Sequence, residues 1–335
     1  MLTPSRQYTF MKKPTLLILA ILLALSVCAQ QDSQFSQYIF NGIHINPAYA
    51  GYKEDLYVQS FYRSQWAGVK GAPKSFSIAA DGAIREGDVG LGLIVSNDQI
   101  GAQNYLTAYA NYAYRIRTGS DEMSRLSFGI AVGVMQLGLD ANKLEAINPG
   151  DNAVPLASQS TILPDARFGI YYSEEKYFAG FSVTNLFAKY AAKIRNSNLL
   201  VPQPHFYLTG GAIFPLNEDL QIKPVVLLQD DTKGPTSVDL NAFLLIKERI
   251  WLGTFYRTSV KLYQKNNLPS DLPAENAAGI IVELFATPNL RIGYSYDYSL
   301  GNLRSYNYGS HEISAGFYLG NKNSKRNRAP RCYQF

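Results

Sequence analysis

The sequence has little of what most catalytic and metal sites are built from. Its 335 residues include two cysteines and three histidines. Cys28 falls at the end of an N-terminal hydrophobic run, which leaves Cys332 alone downstream, and a single cysteine closes no internal disulfide. His44, His205 and His311 form no HExxH pattern and meet no cysteine cluster, so a transition-metal centre has no obvious ligand set, and no cofactor is expected. Charged residues make up 17% of the chain, against roughly 25% in an average soluble domain. The mean hydropathy of −0.11 nonetheless excludes a bundle of apolar spanning helices. "GFSVT" at 180–184 is not a nucleophile elbow, because it lies inside a strand pattern. "GLGL" at 90–93 is no phosphate loop, because no helix pattern follows it. His311 has Ser310 and Glu312 beside it, but neighbours on a strand point to opposite faces, so the trio does not converge. An enzyme is not expected.

One apolar run is present. Lys12 and Lys13 precede "TLLILAILLALSV", a basic region followed by a core too short to span a bilayer as a helix and characteristic of a secretory signal. Val27 and Ala29 suit cleavage between Ala29 and Gln30, and Met11 offers a second start site. Cys28 raises a lipoprotein reading, which Val27 directly before it fits poorly. The net charge is +5, but basic residues concentrate in the signal and in a tail holding Lys322, Lys325, Arg326, Arg328 and Arg331. The body between them is net acidic, with nothing to suggest a nucleic-acid face.

Tyrosine and glycine are abundant, 24 and 26 residues, and the body alternates with period two. Leu290, Ile292, Tyr294, Tyr296 and Tyr298 alternate with Arg291, Gly293, Ser295 and Asp297; Ile313, Ala315 and Phe317 alternate with Glu312, Ser314 and Gly316. Fourteen such runs are expected, near 55–65, 73–84, 88–97, 103–117, 123–139, 165–173, 176–186, 203–214, 219–230, 236–247, 249–259, 275–286, 289–299 and 311–320. Most have the length that crosses a bilayer as a tilted strand. Short connections ("REG", "SEE", "LNED", "KE", "TP") alternate with longer ones, the longest falling near 140–164, 187–202 and 260–274. Outer-membrane barrels show this parity, with short periplasmic turns and long outer loops; a soluble sandwich has no reason to keep it. The fold expected is an all-β transmembrane antiparallel up-and-down barrel of about 14 strands, in outer-membrane lipid, with long loops extracellular. The segments are a signal peptide (1–29), an N-terminal periplasmic element (30–54), the barrel (55–320) and the basic tail (321–335).

Polar faces of the strands would line a lumen carrying Arg63, Asp81, Arg115, Arg167, Lys223, Asp239, Glu283, Arg291, Asp297 and Glu312. Their charges are expected to pair across neighbouring strands, with Arg291 able to meet either Glu283 or Glu312. Tyr57, Tyr62, Trp66, Tyr112, Tyr114, Trp251, Tyr256, Tyr294 and Tyr296 suit aromatic girdles at the membrane surfaces, although some could face a partner. Before the first strand stands "INPAYAG" (45–51). Asn46-Pro47 signals a turn and Gly51 tolerates positive φ. Phe35, Tyr38, Ile39, Phe40, Ile43 and Ile45 are too apolar for a free leader. The segment is expected to fold into or across the periplasmic mouth as a plug or lid, the alternative being a leader that only sets the register of the first strand.

"FSQYIFNGIHINPAYAG", then "FYRSQWAGVKGAPKSFSIAADGAI", "ILPDARFGIYY", "FAGFSVTNL", "IKPVVLLQ", "PTSVDLNAFLLIKERIWLGTFYR" and "LRIGYSYDYSLGNLRSYNYGSHEISAGFYL" together resemble the PorP/SprF family. These are outer-membrane proteins of the type IX secretion system of Bacteroidetes. The resemblance runs in order through nearly the whole mature chain, with Phe35, Asn46, Pro47, Tyr49 and Gly51 in its N-terminal motif. The ending "RCYQF" departs from the Cys-Pro-aromatic ending more usual there. The resemblance implies a non-enzymatic part in protein secretion or gliding motility. It implies as partners the C-terminal domain of a secreted, adhesin-type surface protein and periplasmic components of the machinery. A passive channel and an envelope anchor for those components are the alternatives.

Overall fold

The computed structural model of the chain describes residues 35–119, 124–144, 155, 157–195, 199–265 and 276–319. The signal segment, its cleavage pair Ala29 and Gln30, and the basic tail lie outside the described residues. The strands are β1 (Leu56–Ser64), β2 (Lys74–Ile84), β3 (Val89–Ile100), β4 (Gln103–Arg117), β5 (Arg125–Leu139), β6 (Gln159–Ser173), β7 (Tyr177–Thr184), β8 (His205–Ala212), β9 (Phe214–Pro215), β10 (Leu220–Asp230), β11 (Thr236–Ile246), β12 (Ile250–Val260), β13 (Ala277–Phe285), β14 (Leu290–Ser299) and β15 (Ser310–Leu319). Each pairs antiparallel with its neighbours in sequence, except that β8 and β9 both pair with β10, and β15 returns to β1 with Leu56 opposite Leu319 and Ser64 opposite His311. The sheet therefore closes, which leaves no stave without a partner on either side, the condition for strands in lipid.

β8 and β9 pair with β10 in one continuous register, Gly211 opposite Val225 and Phe214 opposite Ile222. They are one stave whose pairing lapses at Ala212 and Ile213, level with Pro224 and Lys223, and Pro224 has no N–H to offer. Counted as staves the barrel has fourteen, and the expected fold class is borne out. The two faces separate by period two. Leu93, Val132 and Ile313 are more than half exposed on the outside, whereas Arg291, Glu312 and Ser295 on the inside are fully buried. An apolar outer band over a polar interior is the pattern of a barrel with lipid outside.

Two boundaries differ from the sequence reading. β3 runs on to Ile100, because Asp98, Gln99 and Ile100 pair with Tyr105, Asn104 and Gln103; pairing overrides the weak strand propensity of Asn97 and Asp98. β6 begins at Gln159 rather than near 165, so Pro164 lies inside a strand. Pro164 sits opposite Val134 on β5, while β7 pairs with β6 only from Phe168 onward. Its missing N–H faces that unpaired edge and interrupts no ladder bond. Two of the aromatic assignments are also corrected. Tyr57 and Trp251 point inward and are buried, whereas Tyr62, Tyr112, Tyr114, Tyr256 and Tyr294 are exposed on the outside.

Candidate functional site in the lumen

The lumen holds residues 35–54. This stretch cannot extend a strand, because it is punctuated by turns. Phe40 and Asn41 donate backbone bonds to Gln37 and Tyr38, a 3-10 turn follows at Gly42–His44, and a second at Pro47–Tyr49. Asn46 caps the second turn, its Oδ1 accepting from Ala48 N at 2.9 Å, with Pro47 at the first position, where its fixed φ is already helical. Gly51 then adopts φ +72, which only glycine takes without cost, and the chain enters β1 from the short-turn end. The apolar residues Tyr38, Phe40, Ile43, Ile45, Tyr49 and Tyr52 are buried, and together with inward residues such as Phe243, Trp251 and Tyr171 they form the main apolar cluster. Phe40 meets Phe243 edge-on at 5.4 Å, and Phe35 meets Phe61 at 4.2 Å.

Three sockets in the wall hold the segment. The first lies toward the long-loop end. Arg63 Nη2 is 2.7 Å from Asp297 and its Nη1 is 3.1 Å from Glu312; Arg257 donates to Asp239 from Nε and Nη2. Three carboxylates thus share two guanidiniums, and the segment supplies the remaining donors. Ser36 N and Gln37 N donate to the Glu312 carboxylate at 3.0 and 3.1 Å, Ser36 Oγ donates to Asp297, and Ser314 Oγ donates to Gln37 Oε1 at 2.6 Å. Charge-assisted bonds of this kind are about twice as strong as neutral ones.

The second socket faces β2 and β4. Gly51 N donates to Asp81 at 2.9 Å and Gly51 O accepts from Arg115 Nη1 at 2.6 Å. Nearby Lys53 donates to Phe40 O at 2.9 Å and lies over the Tyr57 ring at 3.5 Å. Burial, reinforced by Arg291, holds its ammonium well below the usual lysine range. Arg291 itself pairs with Glu283 at 3.2 Å, and Glu312 goes to Arg63, which decides between the two partners that the sequence left open.

The third socket is steric. Asn46 Nδ2 donates to Ile170 O at 3.0 Å and Phe181 O at 3.3 Å, and Ser182 Oγ donates to Ile45 O. The wall here carries glycines against which the segment presses. A Cβ on Gly169 would overlap Asn46 Oδ1, and one on Gly129 would overlap the backbone of Pro47 and Ala48. His44 sits between the sockets. Its ring meets Phe61 edge-on at 4.8 Å, its carbonyl accepts from Arg167 Nη1 at 3.2 Å, and burial together with the Arg167 charge lowers its pKa to about 3.

Of the residues singled out from the sequence, Arg115, Asp239, Glu283, Arg291 and Glu312 are buried on the inner face, and Arg167 is half-buried there. Asn46, Pro47, Tyr49 and Gly51 lie in the segment that these walls enclose, and Phe35 is half-buried at its start. His311 points outward to Tyr294 Oη at 2.8 Å while Glu312 points inward, and Ser310 Oγ accepts from Trp66 N. Two features were missed. The backbone contacts of Ser36 and Gln37 leave no trace in a one-dimensional pattern. The helix α1 (Ala188–Ile194), in the loop after β7, was legible from its alanine and lysine content. Phe187 N and Ala188 N donate to Asp165, which also accepts from Tyr109 Oη at 2.7 Å. Ala188 and Ala192 pack on the inward residues Met135, Leu137 and Leu163. α1 therefore lies inside the long-loop mouth.

Among solved structures the chain is similar to the CymD monoaromatic hydrocarbon channel, with 10% identity, a TM-score of 0.52, and coverage of 84% of this chain and 93% of that one. It is also similar to the Acinetobacter baumannii outer membrane protein Omp33 (7% identity, TM-score 0.46, 79% and 98% covered) and to a Pseudomonas aeruginosa FadL homologue (10% identity, TM-score 0.46, 84% and 94% covered). At such identity the likeness to CymD speaks for the barrel fold alone. No curated relative matches significantly. The family described as type IX secretion system membrane protein PorP/SprF matches residues 27–317. A closed barrel with an apolar outer band, matched over most of its length by that family, is an outer-membrane protein of the type IX secretion system, and the chain belongs to the PorP/SprF family.

Proposed function

We propose that this barrel is a non-conducting docking platform of the secretion and gliding machinery, which holds the C-terminal domain of a secreted, adhesin-type surface protein at the cell surface. In this reading residues 30–54 act as a plug. The observation that carries it is the occupied lumen: residues 35–54 fill the interior and are tied to the wall by charge-assisted bonds at Glu312, Asp297, Asp81 and Arg115. A barrel whose interior is a bonded core has given up the water path that a passive channel needs. What it has to offer is its two ends. By the general rule for such barrels the long loops face outward, so the client meets the loops after β5, β7 and β12, and the short-turn end and basic tail face periplasmic machinery components.

Two measurements test this. Purified protein in planar bilayers should be electrically silent; a steady ohmic conductance would instead support a passive channel. Deletion of the gene should reduce the amount of a surface-exposed protein seen by biotinylation of intact cells. An unchanged surface profile would sink the docking role.

A further inference from the structure

α1 has two faces with opposite demands. Ala188 and Ala192, four residues apart, are buried on Met135, Leu137 and Leu163. Phe187, Tyr190 and Ile194, spaced three and four apart, form one stripe on the other side. They are 57, 67 and 83% exposed. A packed helix has no internal reason to hold three large apolar side chains in water, and such stripes mark recognition surfaces. Lys189 and Lys193 flank the stripe and are exposed. The helix is fixed at both ends, by Asp165 at Phe187 N and Ala188 N, and by Arg195 Nη1 donating to Ile162 O at 2.7 Å. The stripe is thus presented on a preorganised element, which lowers the entropic cost of binding.

The loop that carries it has charge of one sign. The loop 185–204 holds Lys189, Lys193 and Arg195 and no acidic residue, whereas the flanking long loops after β5 and β10 carry both signs. A lipid occupant is disfavoured by position. The helix packs on inward-facing wall residues, so its stripe looks over the mouth rather than out from the apolar band.

We infer that the α1 stripe is a docking surface for an acidic polypeptide segment with interleaved apolar side chains, the apolar groups covering Phe187, Tyr190 and Ile194 and the carboxylates meeting Lys189 and Lys193. This rests on the docking role proposed above and names the chemistry of the partner at that site.

The test uses the full protein in detergent micelles and two labelled synthetic peptides, in which Leu and Tyr alternate with Glu in one and with Lys in the other. Fluorescence anisotropy should show binding of the acidic peptide only, weakening with salt. Lys189→Glu with Lys193→Glu, and separately Tyr190→Ser with Ile194→Ser, should each weaken it by about tenfold or more, the range of an interface hot spot. Heat-dependent gel mobility confirms that each variant is a folded barrel. Equal binding of both peptides, or unchanged affinity in both variants, would overturn the inference. So would displacement of the acidic peptide by vesicles of anionic phospholipid, which would make the stripe a lipid contact. Failure of the docking role itself is separable: deletion would leave the surface profile of intact cells unchanged, whereas failure of this inference alone would leave deletion effective and the α1 variants indistinguishable from wild type.

Discussion

Two of the sockets that hold the lumen segment, one at its Ser36 end and one toward its other end at Asn46 to Ala48, work by different physics. At Ser36 and Gln37 the contact is electrostatic: backbone N–H groups complete the coordination of a carboxylate that shares its arginine with a second carboxylate. At Asn46 to Ala48 the contact is one of shape, with the Asn46 amide laid against Gly169 and the Pro47–Ala48 backbone against Gly129. The electrostatic end depends on groups that reorganise, since Arg63, Asp297 and Glu312 can re-pair among themselves or take up water once the segment leaves. The steric end depends on volume that the wall either has or lacks. Losing charge should therefore loosen the segment, and adding volume should expel it.

The largest effect is expected from Gly129→Val. A side chain there meets the backbone of Pro47 and Ala48, which cannot rotate away as a side-chain tip can. The three nearest atoms all belong to the segment and none to the wall, so the variant should still fold and shift on heating in a gel, but with the segment displaced. Planar-bilayer recording should turn from silence to sustained conductance. Gly138→Ala is the control, since its nearest neighbour would be Asn104 O at 3.6 Å, an ordinary contact, and it should stay silent. A silent Gly129→Val variant would mean that the glycine fit does not hold the segment.

Arg63→Ala comes next. It leaves Asp297 and Glu312 facing each other with one guanidinium, Arg257, still 3.7 Å from Asp297. Breaking one side of a buried ion pair typically costs about 3–5 kcal/mol. The loss should fall on the Ser36 end. A cysteine placed at Ser36 should become labelled by a water-soluble maleimide in the Arg63→Ala background and stay protected in its absence. Equal labelling in both would show that the charge network does not secure this end.

The strands and their closure were legible because period two is a local property that each strand states for itself. The same parity, applied strictly, would have placed Tyr57 and Trp251 correctly: Tyr57 shares a face with Arg63, and Trp251 with Arg257, both lumen residues. Reading them as girdle aromatics set residue type above register. The start of β6 was missed because a proline is judged in sequence without knowing that its neighbour strand stops short. The charge pairs were only half legible. Alternation says that Arg291 and Glu283 share the lumen, but which carboxylate each arginine takes depends on stagger around the closed barrel. The grip on Ser36 and Gln37 was invisible, because it uses backbone N–H groups that every residue carries.

A smaller effect is expected from Asn46→Ala. It removes the cap on the Pro47–Tyr49 turn, the two bonds to Ile170 O and Phe181 O and the amide that fits against Gly169, while the fit of the Pro47–Ala48 backbone against Gly129 is kept. Cap loss costs about 1 kcal/mol, and unsatisfied carbonyls add a similar amount. The segment should stay docked with brief excursions, seen as rare conductance flickers. Sustained opening as large as in Gly129→Val would show that the amide, and not the shape of the wall, is what holds this end.

The smallest effect, and the one that tests both ends at once, is pH. His44 lies between the two contacts, and burial beside Arg167 lowers its pKa to about 3 when docked. Released into water it would regain an ordinary value of about 6.5. Above pH 6.5 both states are neutral and the contribution to docking is fully present. As pH falls below 6.5 the released segment takes up a proton that the docked one refuses, so docking weakens steadily toward pH 3. Between pH 7 and pH 6 the ratio of released to docked segment should rise by about threefold on these values. That is too small to open the wild-type barrel but measurable in Asn46→Ala, where flicker frequency should rise by that factor. His44→Gln in the same background should remove the dependence, because a neutral amide does not titrate. If the pH response survives His44→Gln, the titrating group lies instead among the carboxylates of the first two sockets, and the electrostatic contacts, not the middle of the segment, set the release.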